Sequence, residues 1–201
     1  MRITGGTLRS RQLQAPRGQA TRPTSDRVRE ALFGILGATG VLRGARVLDL
    51  YAGTGALAIE ALSRGAAHAT LVESSREALA ALRANVEALG LRAVTSIVVG
   101  SVEATRSRVA REGPFDLVLA DPPWALVDEG GPSEALSALA RAGALSPDAV
   151  VVLEHDARSA PPQPRALEPI DRRRYGDTAL TLYKPAILPP PRPVGQGSPS
   201  E

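Results

Sequence analysis

From residue 46 onward the chain alternates between short β-branched runs and amphipathic helical stretches, and few architectures accommodate that alternation. The spacing predicts strands over 46–51, 69–73, 94–99, 115–120 and 149–154, and helices over 55–64, 75–89, 102–112 and 132–143. The stretch 75–89 carries Leu79, Leu82, Val86 and Leu89 on one stripe and stops at Gly90. The stretch 132–143 opens on Pro132 and ends at Gly143, with proline just inside the start and glycine at the end. Strands separated by helices pair in parallel and need cover on both faces. The segments 166–171 and 178–183 have no helix between them, which predicts a closing antiparallel hairpin. The expectation is an α/β fold in one domain, for which 201 residues suffice.

Composition removes several chemistries. The chain has no cysteine, so disulfides, thiolate nucleophiles and Cys-ligated metal centres are excluded. His68 and His155 are its two histidines, each read as a solvated or hydrogen-bonded side chain, and no metal is expected. No apolar run approaches the roughly 20 residues that span a bilayer, and the first residues lack the apolar core of a signal peptide. A cytoplasmic monomer without a membrane partner is the expectation.

Net charge is only +3, but Arg2, Arg9, Arg11, Arg17, Arg22, Arg27, Arg29 and Arg43 face just Asp26 and Glu30 in the first 44 residues. Positive charge concentrated this way suits a polyanion, because each neutralised phosphate releases counterions; a solvated basic surface explains it equally well. Gly5-Gly6 is a turn signal between extended segments around Ile3 and 8–13, predicting a small hairpin with a loop within a basic extension, residues 1–24. Thr24 or Ser25 then caps a helix through Leu36, with Val28, Ala31, Leu32, Ile35 and Leu36 inward and Arg27 and Glu30 outward. The main domain is expected over 25–184. The proline-rich segment 185–201 is expected to be a disordered tail.

The first strand delivers Asp49-Leu50-Tyr51-Ala52-Gly53-Thr54-Gly55-Ala56 directly ahead of a helix. Glycines at 53 and 55 let the backbone turn sharply and approach a ligand at the carboxyl end of the sheet. The same residues satisfy a dinucleotide fingerprint, with Glu73 placed 20 residues after Gly53 as a ribose-binding acid, so a nicotinamide dehydrogenase is one reading. Asp49 ahead of the glycines is suited to an ammonium group, and no second substrate domain follows; both favour S-adenosyl-L-methionine as the ligand.

Ala120-Asp121-Pro122-Pro123-Trp124 ends the strand 115–120, which the right-handed crossover rule sets beside the first strand. An exocyclic amine on a purine is a poor nucleophile, because its lone pair is delocalised into the ring. The Asp121 carboxylate and the Pro122 carbonyl can accept its two N–H bonds and aim the lone pair at a sulfonium methyl. Pro122 and Pro123 stiffen that geometry, and Trp124, the lone tryptophan in a chain with 3% aromatic residues, can stack on an extruded base.

With Met1-Arg2-Ile3-Thr4-Gly5-Gly6 and the run Arg22 to Phe33 added to these motifs, the chain resembles the RsmD family of bacterial 16S rRNA (guanine-N2)-methyltransferases over about residues 1–184. The resemblance implies a Rossmann-like class I S-adenosylmethionine-dependent methyltransferase fold, with a seven-stranded, mostly parallel sheet. It implies methylation of guanine 966 of 16S rRNA in an assembled or assembling small subunit. Asp49, Tyr51, Gly53, Thr54 and Gly55 match the family's cofactor loop, Glu73 its ribose-binding acid, Asp121 to Trp124 its catalytic tetrapeptide, and Tyr175 to Thr178 its closing segment. Arg9, Arg11, Arg22 and Arg27 are the residues expected to dock RNA. The chain departs from the family pattern twice. Trp124 stands where phenylalanine or tyrosine is commoner, and Val102 stands where an aspartate is often found, leaving Ser101 or Glu103 to meet adenine.

The rival readings are a DNA adenine-N6 methyltransferase, which can use the same tetrapeptide but in 201 residues has no inserted target-recognition domain, the dehydrogenase above, and a non-catalytic RNA-binding factor. Arg172-Arg173-Arg174 is read as a solvated strand edge before a second RNA contact.

Overall fold

The computed structural model describes residues 1–15 and 26–186. In chain order the elements are α1 (Asp26–Thr39), β1 (Arg46–Leu50), α2 (Ala56–Ser63), β2 (His68–Glu73), α3 (Arg76–Ala88), β3 (Thr95–Val99), α4 (Val102–Glu112), β4 (Phe115–Ala120), α5 (Trp124–Asp128), α6 (Gly131–Arg141), β5 (Leu145–Asp156), β6 (Leu167–Tyr175) and β7 (Thr178–Pro185). The strands form one sheet in the order β3-β2-β1-β4-β5-β7-β6. β1 to β5 are parallel, and β7 lies antiparallel between β5 and β6. This is the expected class I S-adenosylmethionine-dependent methyltransferase fold. A doubly wound dinucleotide-binding sheet has its sixth strand beside the fifth, with no antiparallel strand wedged between them, so the order argues against the dehydrogenase reading.

Side chains alternate across the sheet. Val47, Leu117, Leu119, Val150, Val152, Leu180 and Leu182 pack with α1, α2 and α3 on one face. Leu48, Leu50, Val118, Ala120, Val151 and Leu153 pack with α4 and α6 on the other. Helix starts follow the local chemistry, with Ser75 Oγ accepting from Ala78 N at 3.3 Å ahead of α3 and Ser101 Oγ accepting from Ala104 N at 3.2 Å ahead of α4. The cap expected at Thr24 or Ser25 falls outside the described residues, as do Arg17, Arg22 and the segment 187–201.

Several elements differ from their expected extents, and α1 runs on past Leu36 to Thr39. α5 is not among the helices expected from the sequence; five residues carry too little periodicity to be recognised, and Pro123 sets the backbone for its first turn. β5 begins at Leu145, not 149, because Leu145 pairs with Phe115 before an irregularity in the register. β6 runs on to Tyr175 as an edge strand, largely exposed, so it has no apolar alternation to read. Its arginines are engaged locally, Arg172 on the Ala157 and Ser159 carbonyls, Arg173 on Asp171 and Arg174 on the Gly176 carbonyl.

The N-terminal arm is a narrow hairpin. Arg2 and Gln12 form an antiparallel bridge, and Ile3 N donates to Arg11 O at 3.0 Å. Ile3 and Leu13 pack on Ile59 of α2. The arm's turn locks onto the end of α2, with Thr7 N on Ser63 O at 2.8 Å and Ser63 Oγ on Gly5 O at 2.6 Å. Gly6 has φ +75°, and a Cβ there would stand 1.8 Å from Ser63 O, so glycine is required.

α1 faces as expected, with Arg27 and Glu30 outward, and its inward face also takes in Arg29. Arg27 is exposed as anticipated, but Arg29 is fully buried beside Leu32, Phe33 and Leu36. Its Nη2 donates to Arg2 O and to Asp26 Oδ1, the latter at 2.9 Å, and its Nε lies 3.6 Å from Glu60 Oε2. Burial beside a buried carboxylate keeps this charge inside, where an unpaired one would be strongly disfavoured.

Candidate active site at the carboxyl ends of the strands

Where β1 and β4 end side by side, the sheet opens into a cleft of about 820 Å³. Tyr51, Gly53, Thr54, Glu73, Ser101, Val102 and the whole run Asp121 to Trp124 line it, so the two sequence motifs share one cavity. Ligand sites in open α/β sheets lie at this position, where connections leave in opposite directions.

The glycine turn is built tightly. Gly55, with φ +82°, donates to Ala52 O at 2.7 Å and starts α2; a Cβ on it would meet Leu82 Cδ1 at 2.5 Å. Gly55→Ala therefore combines a left-handed alanine, about 1–2 kcal/mol, with overpacking worth about 1–3 kcal/mol. The variant is expected to melt several degrees lower, as scanning calorimetry would show. Tyr51 also has positive φ, +64°, and its hydroxyl is buried without a hydrogen-bond partner among the described residues. Burial and the nearby Glu103 carboxylate push the Tyr51 phenol above its ordinary range, so it is a neutral donor.

Glu73 clamps the turn to the end of β2. Its Oε2 accepts from Gly53 N at 2.7 Å, and its Oε1 from Ser74 N at 2.8 Å and Ser75 N at 2.7 Å. A Cβ on Gly53 would have no atom within 4 Å, so the backbone here borders open space that a ligand can approach closely. Ser101 Oγ is occupied in capping α4. Val102 is 3% exposed and packs with Leu48, Leu50, Val72 and Val98, giving the cleft an apolar surface where the family pattern has a carboxylate.

Asp49 does not line the cleft. It is 1% exposed beneath the turn, with Oδ2 accepting from Ala58 N at 3.0 Å and Oδ1 without a hydrogen-bond partner among the described residues. Burial, more than the hydrogen bond from Ala58 offsets, pushes its carboxyl up to about 8, helped by the Asp121 and Glu73 charges. Between about 4 and 8 the folded protein thus holds a proton that the unfolded chain has released, and stability falls as pH rises through that window. Urea unfolding of Asp49→Asn across pH 5 to 8 is expected to show a flatter dependence than the parent; an identical slope would remove Asp49 as its source.

The tetrapeptide closes the opposite wall. Pro122 is buried, Asp121 and Trp124 are half-buried, and Trp124 opens α5. Arg9, Arg11 and Arg27 are exposed and do not line the cleft, whereas Met1, Arg29 and Glu154 do. Sequence reasoning missed Arg29 and Glu154. The signal for Arg29 was its place at i with Leu32, Phe33 and Leu36 at i+3, i+4 and i+7, and for Glu154 its position directly after the apolar run 149–153. His155, by contrast, is a hydrogen-bonded core residue, with Nε2 2.8 Å from Thr181 Oγ1. No group of three or more metal-ligating side chains occurs among the described residues, and no helix among them is long and apolar enough to cross a membrane.

Comparison with known proteins adds an independent line. The model of the family described as Conserved hypothetical protein 95 matches residues 1–184. Ribosomal RNA small subunit methyltransferase D of Escherichia coli (strain K12) is 37% identical over 186 residues, covering 92% of this chain and 89% of the relative. Among solved structures, yhhF of Escherichia coli superposes with a TM-score of 0.76 at 34% identity, covering 94% of this chain and 99% of the other. Hypothetical protein TTHA0928 of Thermus thermophilus does so with 0.75 at 34% identity, covering 92% and 99%. On fold, site and sequence together, the chain belongs to the Conserved hypothetical protein 95 family, with ribosomal RNA small subunit methyltransferase D proteins among its relatives.

Proposed function

We propose that the protein methylates the exocyclic N2 of a guanine in 16S rRNA, using S-adenosyl-L-methionine. The observation that carries the proposal is the convergence of the glycine turn and Asp121-Pro122-Pro123-Trp124 on one cleft. Fold and family support S-adenosylmethionine-dependent methyl transfer in general; the relative's name supports small-subunit rRNA as the substrate.

The cleft fits the cofactor. It has open space over Gly53, an apolar surface at Val102 and carboxylates suited to a cation, from Glu73, Glu103 and Asp121 at its wall. When bound, S-adenosylmethionine supplies an electrophilic methyl group on a sulfonium. Glu73 takes the ribose diol, sharing a carboxylate that the Gly53, Ser74 and Ser75 amides already hold in place. Gly53, Thr54 and Gly55 shape the turn, Ser101 and Val102 flank the adenine, and Asp49, protonated beneath the turn in the free protein, is the acid proposed to give up its proton as the ammonium end binds. Asp121 and the Pro122 carbonyl accept the N–H bonds of the amine, Trp124 stacks on the base, and Pro123 holds the segment rigid. As the nitrogen gains positive charge, the Asp121 carboxylate offsets it until a proton leaves.

The test is nucleoside mass spectrometry after incubation of the protein and S-adenosylmethionine with unmodified small subunits, and separately with naked 16S rRNA. N2-methylguanosine at a single site is the expected product. N6-methyladenine in DNA, with rRNA left unmethylated, would overturn the reading.

The exposed Arg9, Arg11 and Arg27, together with Arg22, are proposed as the rRNA-docking surface. Each phosphate contact contributes about −0.7 to −0.9 to the slope of log affinity against log salt. Replacing Arg9 and Arg11 with alanine is therefore expected to flatten that slope by about 1.5 in filter binding, and an unaltered slope would place the RNA on another surface.

A further inference from the structure

Two buried charged groups on the cleft wall are not used by the chemistry above. Arg29, fully buried in α1, keeps Nη2 on Arg2 O and Asp26 and Nε near Glu60, while its Nη1 has no hydrogen-bond partner among the described residues. An Nη1 left without an acceptor loses its hydration on folding with no return, unless a ligand supplies the acceptor. Glu154 is 7% exposed at the carboxyl end of β5.

The sheet register brings Glu154 beside Asp121. Ala120 and Leu153 are partners on the adjacent parallel strands β4 and β5, so Asp121 and Glu154 follow one step beyond, on strands about 4.8 Å apart. Leu117 and Leu119 of β4, and Val150 and Val152 of β5, pack on the face covered by α1. Alternation puts Asp121 and Glu154 on that same face, toward the helix that carries Arg29. All three residues line the one cleft.

A guanine bound by its N2 amine presents N1–H as a donor beside that amine and O6 as an acceptor beyond it. Two carboxylates followed by a guanidinium form the complementary series. Adenine offers an acceptor at N1, which a carboxylate repels, and an amine at position 6, which a guanidinium cannot satisfy. We infer that Glu154 and Arg29 select guanine, Glu154 accepting from N1–H and Arg29 Nη1 donating to O6. The inference rests on the guanine-N2 reading and adds to it the residues that distinguish the base.

The test uses small subunits reconstituted with 16S rRNA that carries either guanine or 2-aminopurine at the methylated position. 2-Aminopurine keeps the N2 amine but has an acceptor at N1 and nothing at position 6. The wild-type protein is expected to prefer guanine by about 100-fold or more in kcat/KM, as sites built to hydrogen-bond a donor do. Glu154→Gln, which can donate to an N1 acceptor, is expected to lose about 10- to 100-fold on guanine and to bring 2-aminopurine within a few-fold of it. Arg29→Lys, which keeps the charge beside Glu60, is expected to lose about 10-fold on guanine alone. S-adenosylhomocysteine affinity should be unchanged in both variants. Glu154→Gln retaining the wild-type preference, or both variants losing equally on both RNAs, would overturn the assignment. A wild-type protein that methylates no guanine would overturn the guanine reading itself, and this assignment with it.

Discussion

Asp121→Ala is expected to cut turnover by about 10²–10³-fold while S-adenosylhomocysteine and rRNA bind nearly as before, since removing one preorganised polar stabiliser costs that much in comparable sites. The reason lies in where Asp121 stands. It follows the last residue of a buried strand, is half-buried on the cleft wall, and is tied to two prolines that limit its backbone. Its carboxylate can therefore receive an amine without first being reorganised, and its loss removes an acceptor at the developing charge. Asp121→Asn keeps an oxygen acceptor and the volume but not the charge, so it should fall between parent and alanine. Single-turnover methyl transfer alongside calorimetry with S-adenosylhomocysteine separates chemistry from binding. Unchanged turnover in Asp121→Ala would remove Asp121 from the mechanism. Because the Asp121 charge also raises the Asp49 pKa, either variant should slightly lower the upper end of the pH range over which stability declines.

The largest effect on stability is expected at Glu60. This fully buried carboxylate accepts from Thr4 N and Thr4 Oγ1, both at 2.8 Å, and from Arg64 Nε at 2.7 Å, and it faces Arg29 Nε at 3.6 Å. It joins the N-terminal arm, α1 and α2 at one point. Glu60→Ala leaves buried Arg29 with the half-exposed Asp26 as its carboxylate among the described residues, and leaves Thr4 without its acceptors. Breaking a buried pair by removing one partner costs about 3–5 kcal/mol, a large share of a typical domain's roughly 5–15 kcal/mol. For a chain of this size the melting midpoint should fall by roughly 6–20 °C. Hydrogen exchange should show faster exchange at Ile3 and Thr4, because the arm loses its anchor before the sheet does. Glu60→Gln, which retains an acceptor for Thr4, should lose less. A midpoint unchanged in both variants would show that the cluster does not hold the arm. Met1 lines the cleft, so loosening the arm is also expected to weaken RNA turnover.

Much of the molecule is legible in its sequence. Glycine turn, tetrapeptide and alternating elements are written in contiguous residues, and contiguous residues act through local rules: glycine where φ is positive, proline where it is restricted, apolar side chains at period 2 or 3.6. Gly55 and the stripe on α3 sit where those rules put them. The rules are silent where a neighbour distant in sequence decides. α5 and the polar edge strand β6 have no apolar period. Leu145 joins β5 because Phe115 accepts it as a partner.

The same division runs through the site. That residues 49–55 and 120–124 should share a cleft follows from strand order, which right-handed crossovers restrict. Which charges enter that cleft does not follow, because an arginine on an amphipathic helix faces water unless something buried requires it. Glu60, 31 residues further on, supplies that requirement for Arg29, and Thr4 and Arg64 complete the cluster. Asp49 reads as a ligand in the motif, yet strand alternation turns it under the loop to Ala58 N. Glu154 becomes part of the site only because β5 lies against β4. The sequence by itself determined the order of elements and the motifs that close them, because backbone preferences act over a few residues. The tertiary structure alone decided which ionisable groups face the cleft, because the free energy of burying a charge depends on partners brought together from distant parts of the chain.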